Sequence, residues 1–279
     1  MKILLTGACG YLGVHVCQRL AGAGFEIRAT DRLLSRDLPV AVQVEDLLRR
    51  DVCYGLVEGC DAVVHLANHP NARSGDPQRV FGENVTMNMN VFQAAVEAGI
   101  RSLLFASSIQ VFSMTAGPTP AGAAAVPYLP LDGQAPTCPV NAYALSKVCT
   151  EQMLDLFARC TPGLNAVAIR FPAIVQMPAA PAARGANRSP PPANEAFTFL
   201  SANDAASLIC SILKAKLEGF RVYFPAARGN RLGRPAADVI REFYPNTPLR
   251  KPLEKIDSLV DLSAIQRDTG WQPVDNELG

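Results

Sequence analysis

The stretch KILLTGACGYLGVHVCQRL, residues 2–20, decides the fold of this chain. It begins as a short apolar strand, turns through Gly7, Gly10 and Gly13, and continues with Leu12, Val16 and Leu20 on one helical face. Glycines so placed let the chain turn sharply, let backbone approach a pyrophosphate and let a helix pack on a strand. The helix start, Tyr11 and Leu12 included, then offers free N–H groups and the positive end of the helix dipole to phosphate. An acidic residue answers about twenty positions on. Asp31 ends the second apolar strand, EIRATD, where a carboxylate can bond the ribose hydroxyls of an adenosine. A carboxylate repels a 2′-phosphate, so Asp31 argues for NAD. Arg32 and Arg36 keep NADP as the alternative, because an arginine can bind that phosphate.

Outward from this unit, apolar strands alternate with helical periods: KILLTG, EIRATD, AVQVE, DAVVHLA, SLLFASS and NAVAIR. Met89, Phe92 and Val96 share one helix face between the fourth and fifth of them. The pattern predicts an α/β fold, a Rossmann-like doubly wound parallel sheet with right-handed crossovers. NDAASLICSILKA, FRVYFP and PAADVIREFY read as helix, strand and helix of a small C-terminal substrate-binding lobe. The expected division is a dinucleotide-binding domain over 1–170, then 171–279 as mostly lobe, with segments returning to the main domain. Two Pro-, Gly- and Ala-rich segments, 114–140 and 178–194, break the rhythm. Long irregular stretches inside a compact domain read as mobile covers over a site.

At 279 residues the chain is long enough for one large α/β unit with a sizeable core. A formal net charge of +1 provides no field for steering polyanions, so neither nucleic acid nor a membrane surface is an expected partner. The apolar start, Ile3 to Leu5, is too short for a signal peptide or a span. A cytoplasmic location is expected, with the eight cysteines as reduced thiols. They form no C-x-x-C pair and no Cys/His ligand spacing, so no metal is expected.

NAYALSKVCTEQML, residues 141–154, sets Tyr143 and Lys147 one turn apart on a helix face. Alone, such a pair is ordinary helix-surface chemistry. With G-x-x-G-x-x-G first and Y-x-x-x-K later, the chain resembles the extended short-chain dehydrogenase/reductases, the NAD-dependent epimerase/dehydratase family, nearly end to end. EDLLRRDVCYGLVEGCDAVVHLAN is similar to the family's third and fourth strands, with Asp46 and Leu47 where adenine is flanked and Ala67 beside the cofactor. ENVTMNMNVFQAA resembles the helix whose Asn, here Asn84, lies near the nicotinamide ribose; by its residue type alone Asn84 is equally a helix cap. FASSIQVF resembles the strand delivering the catalytic hydroxyl, Ser108, with Ser107 next to the cofactor. IRFPAIV is similar to the segment passing the nicotinamide, at Phe171 and Pro172.

The resemblance implies a mechanism. Tyr143 is the general base, Ser108 holds the substrate oxygen, and Lys147 bonds the nicotinamide ribose. A free phenol titrates near about 10. An ammonium about 4 Å away contributes roughly 4 kcal/mol at an effective dielectric near 20, enough to lower it by about two to three pH units. The substrate implied is a sugar or sugar nucleotide, with hydride moved at a hydroxyl or keto carbon: an epimerase returns it to the other face of a transient ketone and keeps its NAD, whereas a dehydrogenase releases both products. Ser108 is followed by Ile109 and Gln110, not the Asp-Glu of the family's dehydratases, which disfavours dehydration. Phe112 and Ser113 stand where the family often has Tyr-Gly. The short stretch between IRFPAIV and FTFLSANDAA is similar to that of uronate dehydrogenases, but Asn194 and Glu195 stand where those carry an arginine. A dissociating dehydrogenase or reductase on a small free sugar acid or polar carbonyl compound is therefore one alternative. A non-catalytic NAD(P)-binding regulator is another. In the family the helices carrying Asn84 and Tyr143 commonly form a dimer contact, so a homodimer is expected. His65 reads as packed; His69 and Arg73, then Arg184 and Arg188, read as solvated loop residues.

Overall fold

The computed structural model describes residues 1–34, 37–112, 126–176 and 195–277. Its strands are β1 (Lys2–Thr6), β2 (Glu26–Asp31), β3 (Val42–Val44), β4 (Ala62–His65), β5 (Ser102–Ser108), β6 (Asn165–Phe171), β7 (Ala173–Val175), β8 (Phe199–Ser201) and β9 (Gly219–Tyr223). Its helices are α1 (Tyr11–Gly22), α2 (Arg50–Val57), α3 (Pro77–Glu97), α4 (Ala142–Cys160), α5 (Ala202–Lys214), α6 (Ala236–Phe243) and α7 (Ser263–Thr269). Seven strands form one sheet in the order β3-β2-β1-β4-β5-β6-β9, every pair parallel. This is the doubly wound architecture expected of the sequence.

Alternation along each strand feeds two separate core layers. Ile3, Leu5, Val64, Leu104, Val167 and Ile169 pack on one face with Val16 and Leu20 of α1 and Leu208 and Ile212 of α5. Leu4, Val63, Leu103, Phe105 and Ala166 pack on the other with Leu56 of α2, Phe92 of α3 and Leu154 of α4. A sheet covered on both faces needs strands apolar at every position, which explains the continuous hydrophobic runs.

Two elements expected in the C-terminal lobe lie in the main domain instead. β9 continues the sheet beside β6, from Asn165↔Gly219 to Ile169↔Tyr223, and α5 covers the α1 side of the sheet. All seven residues of β6 are buried, and pairing with β9 satisfies the backbone groups that an open edge would leave unpaired. The described part of the first Pro-rich segment, 126–140, is not a loose cover. Leu129 and Leu131 are fully buried, and their N–H groups donate to Pro248 O and Leu259 O at 2.9 Å. Arg250 clamps the same stretch, its guanidinium 3.6 Å from the Tyr128 ring centroid and 2.8 Å from Asp132 Oδ2. Residues 113–125 and the second Pro-rich segment, with Arg184 and Arg188, lie outside the described residues, as does Arg36. Among the described residues no helix is long and apolar enough to cross a membrane.

Candidate active site

The sheet reverses direction of growth at β1, which pairs with both β2 and β4. Ligands of doubly wound sheets bind at the carboxyl ends of strands flanking such a point, and the glycine turn occupies it. Gly7 has φ +69°, and a Cβ there would lie 2.6 Å from Ala67 N. A Cβ on Gly13 would lie 2.1 Å from Gly7 O, so α1 approaches the turn as only glycine allows. No side chain caps α1 and its first turn carries no acid, which leaves that helix end open to an anion. Asp31 braces the turn: Oδ2 accepts from Cys9 N at 2.9 Å and Oδ1 from Leu33 N at 3.2 Å. One bond per oxygen leaves acceptor capacity for ribose hydroxyls. These residues fit a dinucleotide.

The other positions expected around a cofactor divide by exposure. Tyr11 is exposed and meets His15 edge-on, Leu12 is half-buried, and Arg32 and Asp46 are exposed. Leu47 is buried in the core layer facing α2 and α3. Asn84 is no helix cap: it lies inside α3, whose cap is Asp76. Fully buried, Asn84 accepts from His69 N at 2.8 Å and donates to Ser146 Oγ at 3.0 Å, so it holds the loop after β4 against α4. His69, expected in solvent, is buried with Nε2 2.6 Å from Glu83 Oε2; Arg73 is exposed. His65 is packed as expected, against Phe92 and Phe105. Ser107 turns its hydroxyl inward, donating to Glu151 Oε1 at 2.7 Å.

Ser108, Tyr143 and Lys147 meet at the carboxyl end of β5 and the first turns of α4. Asn141 caps α4, its side chain accepting from Ala144 N at 2.8 Å, which aims Tyr143 at the strand end. The Ser108 hydroxyl acts on the phenol, favouring its ionised form. Lys147 Nζ lies 5.4 Å from the Tyr143 ring centroid, 4.5 Å from that of Phe105, and donates to Asn68 Oδ1 at 2.8 Å and Ala106 O at 2.7 Å. Phe171 stands opposite Ser108 in the sheet register, with Pro172 buried after it. Only 7, 6 and 3% of Ser108, Tyr143 and Lys147 is exposed, so charge in this cluster is unscreened by solvent.

That burial reverses one expectation. The Tyr143 phenol is pushed above its ordinary value, chiefly by burial, against the pull of the Ser108 hydroxyl and with the Glu195 carboxylate adding to the rise. Burial lowers the pKa of Lys147 itself to about 7, with Glu151 opposing. Between about 7 and the ordinary 10.5, the unfolded chain keeps a proton that folded Lys147 has lost. Stability therefore rises with pH across that window, by up to about 1.4 kcal/mol per pH unit from this residue. Lys147→Met is expected to flatten the rise, as measured by urea unfolding through the same pH range.

Four residues of the cluster were not identified as site residues from the sequence. Asn68 accepts from Lys147 Nζ, and Asn88 accepts in turn from the Asn68 amide. Glu151 and Arg170 form a buried two-point pair, Nε to Oε1 at 2.9 Å and Nη2 to Oε2 at 2.7 Å. Arg170 also donates to Ala135 O at 2.7 Å, joining β6 to the 126–140 segment. The helical spacing Tyr143, Lys147, Glu151 did carry a signal, since all three share one face of α4.

Fold and cluster together define a dinucleotide-binding α/β protein with a Ser-Tyr-Lys set at its switch-point crevice. The sequence pattern of the NAD dependent epimerase/dehydratase family matches residues 3–175, and the chain belongs to that family. Among relatives, it is 29% identical to the UDP-glucose 4-epimerase of Azospirillum brasilense over 185 residues, 61% of this chain and 48% of that protein. It is 27% identical to the uronate dehydrogenase of Pseudomonas putida over 175 residues, 61% of this chain and 60% of that one. The chain thus spans about half to three-fifths of the length of these relatives. In structure it is similar to the UDP-glucose 4-epimerase of Stenotrophomonas maltophila, with TM-score 0.70 and 20% identity over 98% of this chain and 94% of that one.

Proposed function

We propose that the chain is an NAD-dependent oxidoreductase of this family, moving hydride at a hydroxyl or keto carbon of a sugar or sugar nucleotide. The observation that carries the reading is the meeting of Ser108, Tyr143 and Lys147 beside the Gly7–Ala67 crevice. Bound there, NAD supplies the hydride acceptor. Tyr143 takes the proton of the substrate hydroxyl, Ser108 holds the same oxygen, and the Lys147 ammonium offsets negative charge on the phenol. Asp31 selects NAD over NADP by its carboxylate. The enzyme acts in the cytoplasm as a homodimer, to which exposed Met89 on α3 and Leu145 and Leu156 on α4 contribute.

The second reading, a dissociating dehydrogenase on a free sugar acid, draws on the uronate dehydrogenase likeness. The test is to denature freshly purified protein and quantify released nucleotide by chromatography. Near-stoichiometric NAD supports a retained cofactor and epimerisation. Empty protein that takes up added NAD favours the dehydrogenase. NADP overturns the role of Asp31, and failure to bind either nucleotide overturns the proposal.

A further inference from the structure

We propose that Asn68 is a positioning residue for Lys147, holding the ammonium through its side-chain carbonyl and tying it to the strand that carries the glycine turn. The inference rests on the role proposed above for Lys147. An ammonium has only donors, so the Asn68 atom 2.8 Å from Nζ is the carbonyl oxygen. The Asn68 amide nitrogen then points the other way, donating to its neighbour Ala67 O and to Asn88 Oδ1 at 2.6 Å. Asn88 is oriented in turn: its nitrogen donates to Thr150 Oγ1 at 2.7 Å, and that hydroxyl donates to Ser146 O at 2.7 Å. His65 Nε2 faces the same Asn88 oxygen at 2.7 Å, so it carries the hydrogen. Nδ1 therefore accepts from the Thr6 hydroxyl at 2.6 Å, and Thr6 Oγ1 accepts from Ala67 N at 3.3 Å.

Every bond in this run has one permitted direction, and Thr6, His65, Asn88 and Thr150 are fully buried. Burial also drives the His65 pKa down to about 3, so the ring stays neutral and the run stays intact at working pH. Thr6 precedes Gly7. The position of Lys147 is thus coupled to the turn where the dinucleotide phosphates would lie. The titratable groups facing Lys147 are Tyr143 and Glu151 on α4 and His65 on β4; β5 presents only the Ala106 carbonyl and the Phe105 ring. With so little compensating charge, the Asn68 carbonyl is one of two acceptors that keep the ammonium protonated.

The test is titration of the full chain labelled with ¹³Cε-lysine. There are six lysines, and the Lys147 signal is the one lost in Lys147→Met. In the unaltered protein it should titrate near about 7. Asn68→Asp puts a carboxylate in the same place and is expected to raise that midpoint by about one to three pH units. Asn68→Ala is expected to lower it and to weaken NAD binding, read by calorimetry, by about tenfold, the loss of one charged hydrogen bond. Asn88→Ala should move the midpoint in the same direction as Asn68→Ala by a smaller amount. Unchanged midpoints in both Asn68 variants would overturn the proposal. Where Asn68→Ala loses cooperative unfolding, the near-isosteric Asn68→Asp decides alone. Should the unaltered protein bind no NAD, the cofactor reading fails, while the opposite displacements of Lys147 still report on Asn68.

Discussion

Tyr143→Phe is expected to lower turnover by about a hundred- to ten-thousand-fold, the contribution of a positioned proton acceptor. The variant keeps the ring and its packing in a buried site and removes only the hydroxyl on which Ser108 acts. NAD affinity should therefore hold, because the glycine turn, Asp31 and Lys147 are untouched. With UDP-glucose, turnover is followed by chromatographic separation of the 4-epimer, since an epimerase returns its hydride and accumulates no NADH; with a uronate it is followed by NADH absorbance, these being the compounds for which its relatives are named. Equal rates for the two proteins would remove Tyr143 from the chemistry. A parallel loss of NAD affinity would instead assign it to cofactor binding.

Glu151→Leu is expected to destabilise the fold by about 3–5 kcal/mol, the cost of leaving one charge of a buried pair unpaired. Arg170 would be the stranded partner, with only 5% of its surface exposed. It would keep its bonds to Gly133 O and Ala135 O but lose both carboxylate oxygens, while Ser107 loses its acceptor. Adding Arg170→Met should restore much of the loss, since two apolar groups of similar volume replace the pair. Urea unfolding of the single and double variants measures both terms. A single-variant loss under about 1 kcal/mol would put the pair in the class of surface ion pairs and contradict its burial. The same variant should also push the Lys147 midpoint down, because Glu151 favours the charged form.

The legible part of the fold was the part written in local pattern. Strand-length, largely apolar runs marked β1, β4, β5 and β6, because a sheet covered on both faces buries both sides of its central strands. α4 was legible through the Tyr143–Lys147 spacing at the head of NAYALSKVCTEQML, while its cap, Asn141, showed only in the structure. The destination of a segment was harder to read. FRVYFP looks the same whether it extends the main sheet or closes a lobe, and only the open side of β6 selects the first. Likewise the Pro-rich composition of 126–140 conceals that Leu129 and Leu131 are anchored to Pro248 and Leu259, partners more than a hundred residues on.

By itself the sequence determined the glycine turn with Asp31 after it, the one-turn spacing of Tyr143 and Lys147, and the alternation of strands and helices that carries them, while Ser108 was reached through the family resemblance of FASSIQVF. All but Ser108 follow from spacing along a single strand, turn or helix. The tertiary structure alone decided that Tyr143 is pushed up rather than down, that Lys147 sits near neutrality, and that Asn68, 79 residues earlier, holds it. Desolvation and hydrogen-bond partnership depend on what surrounds a group in space, and no local spacing encodes that.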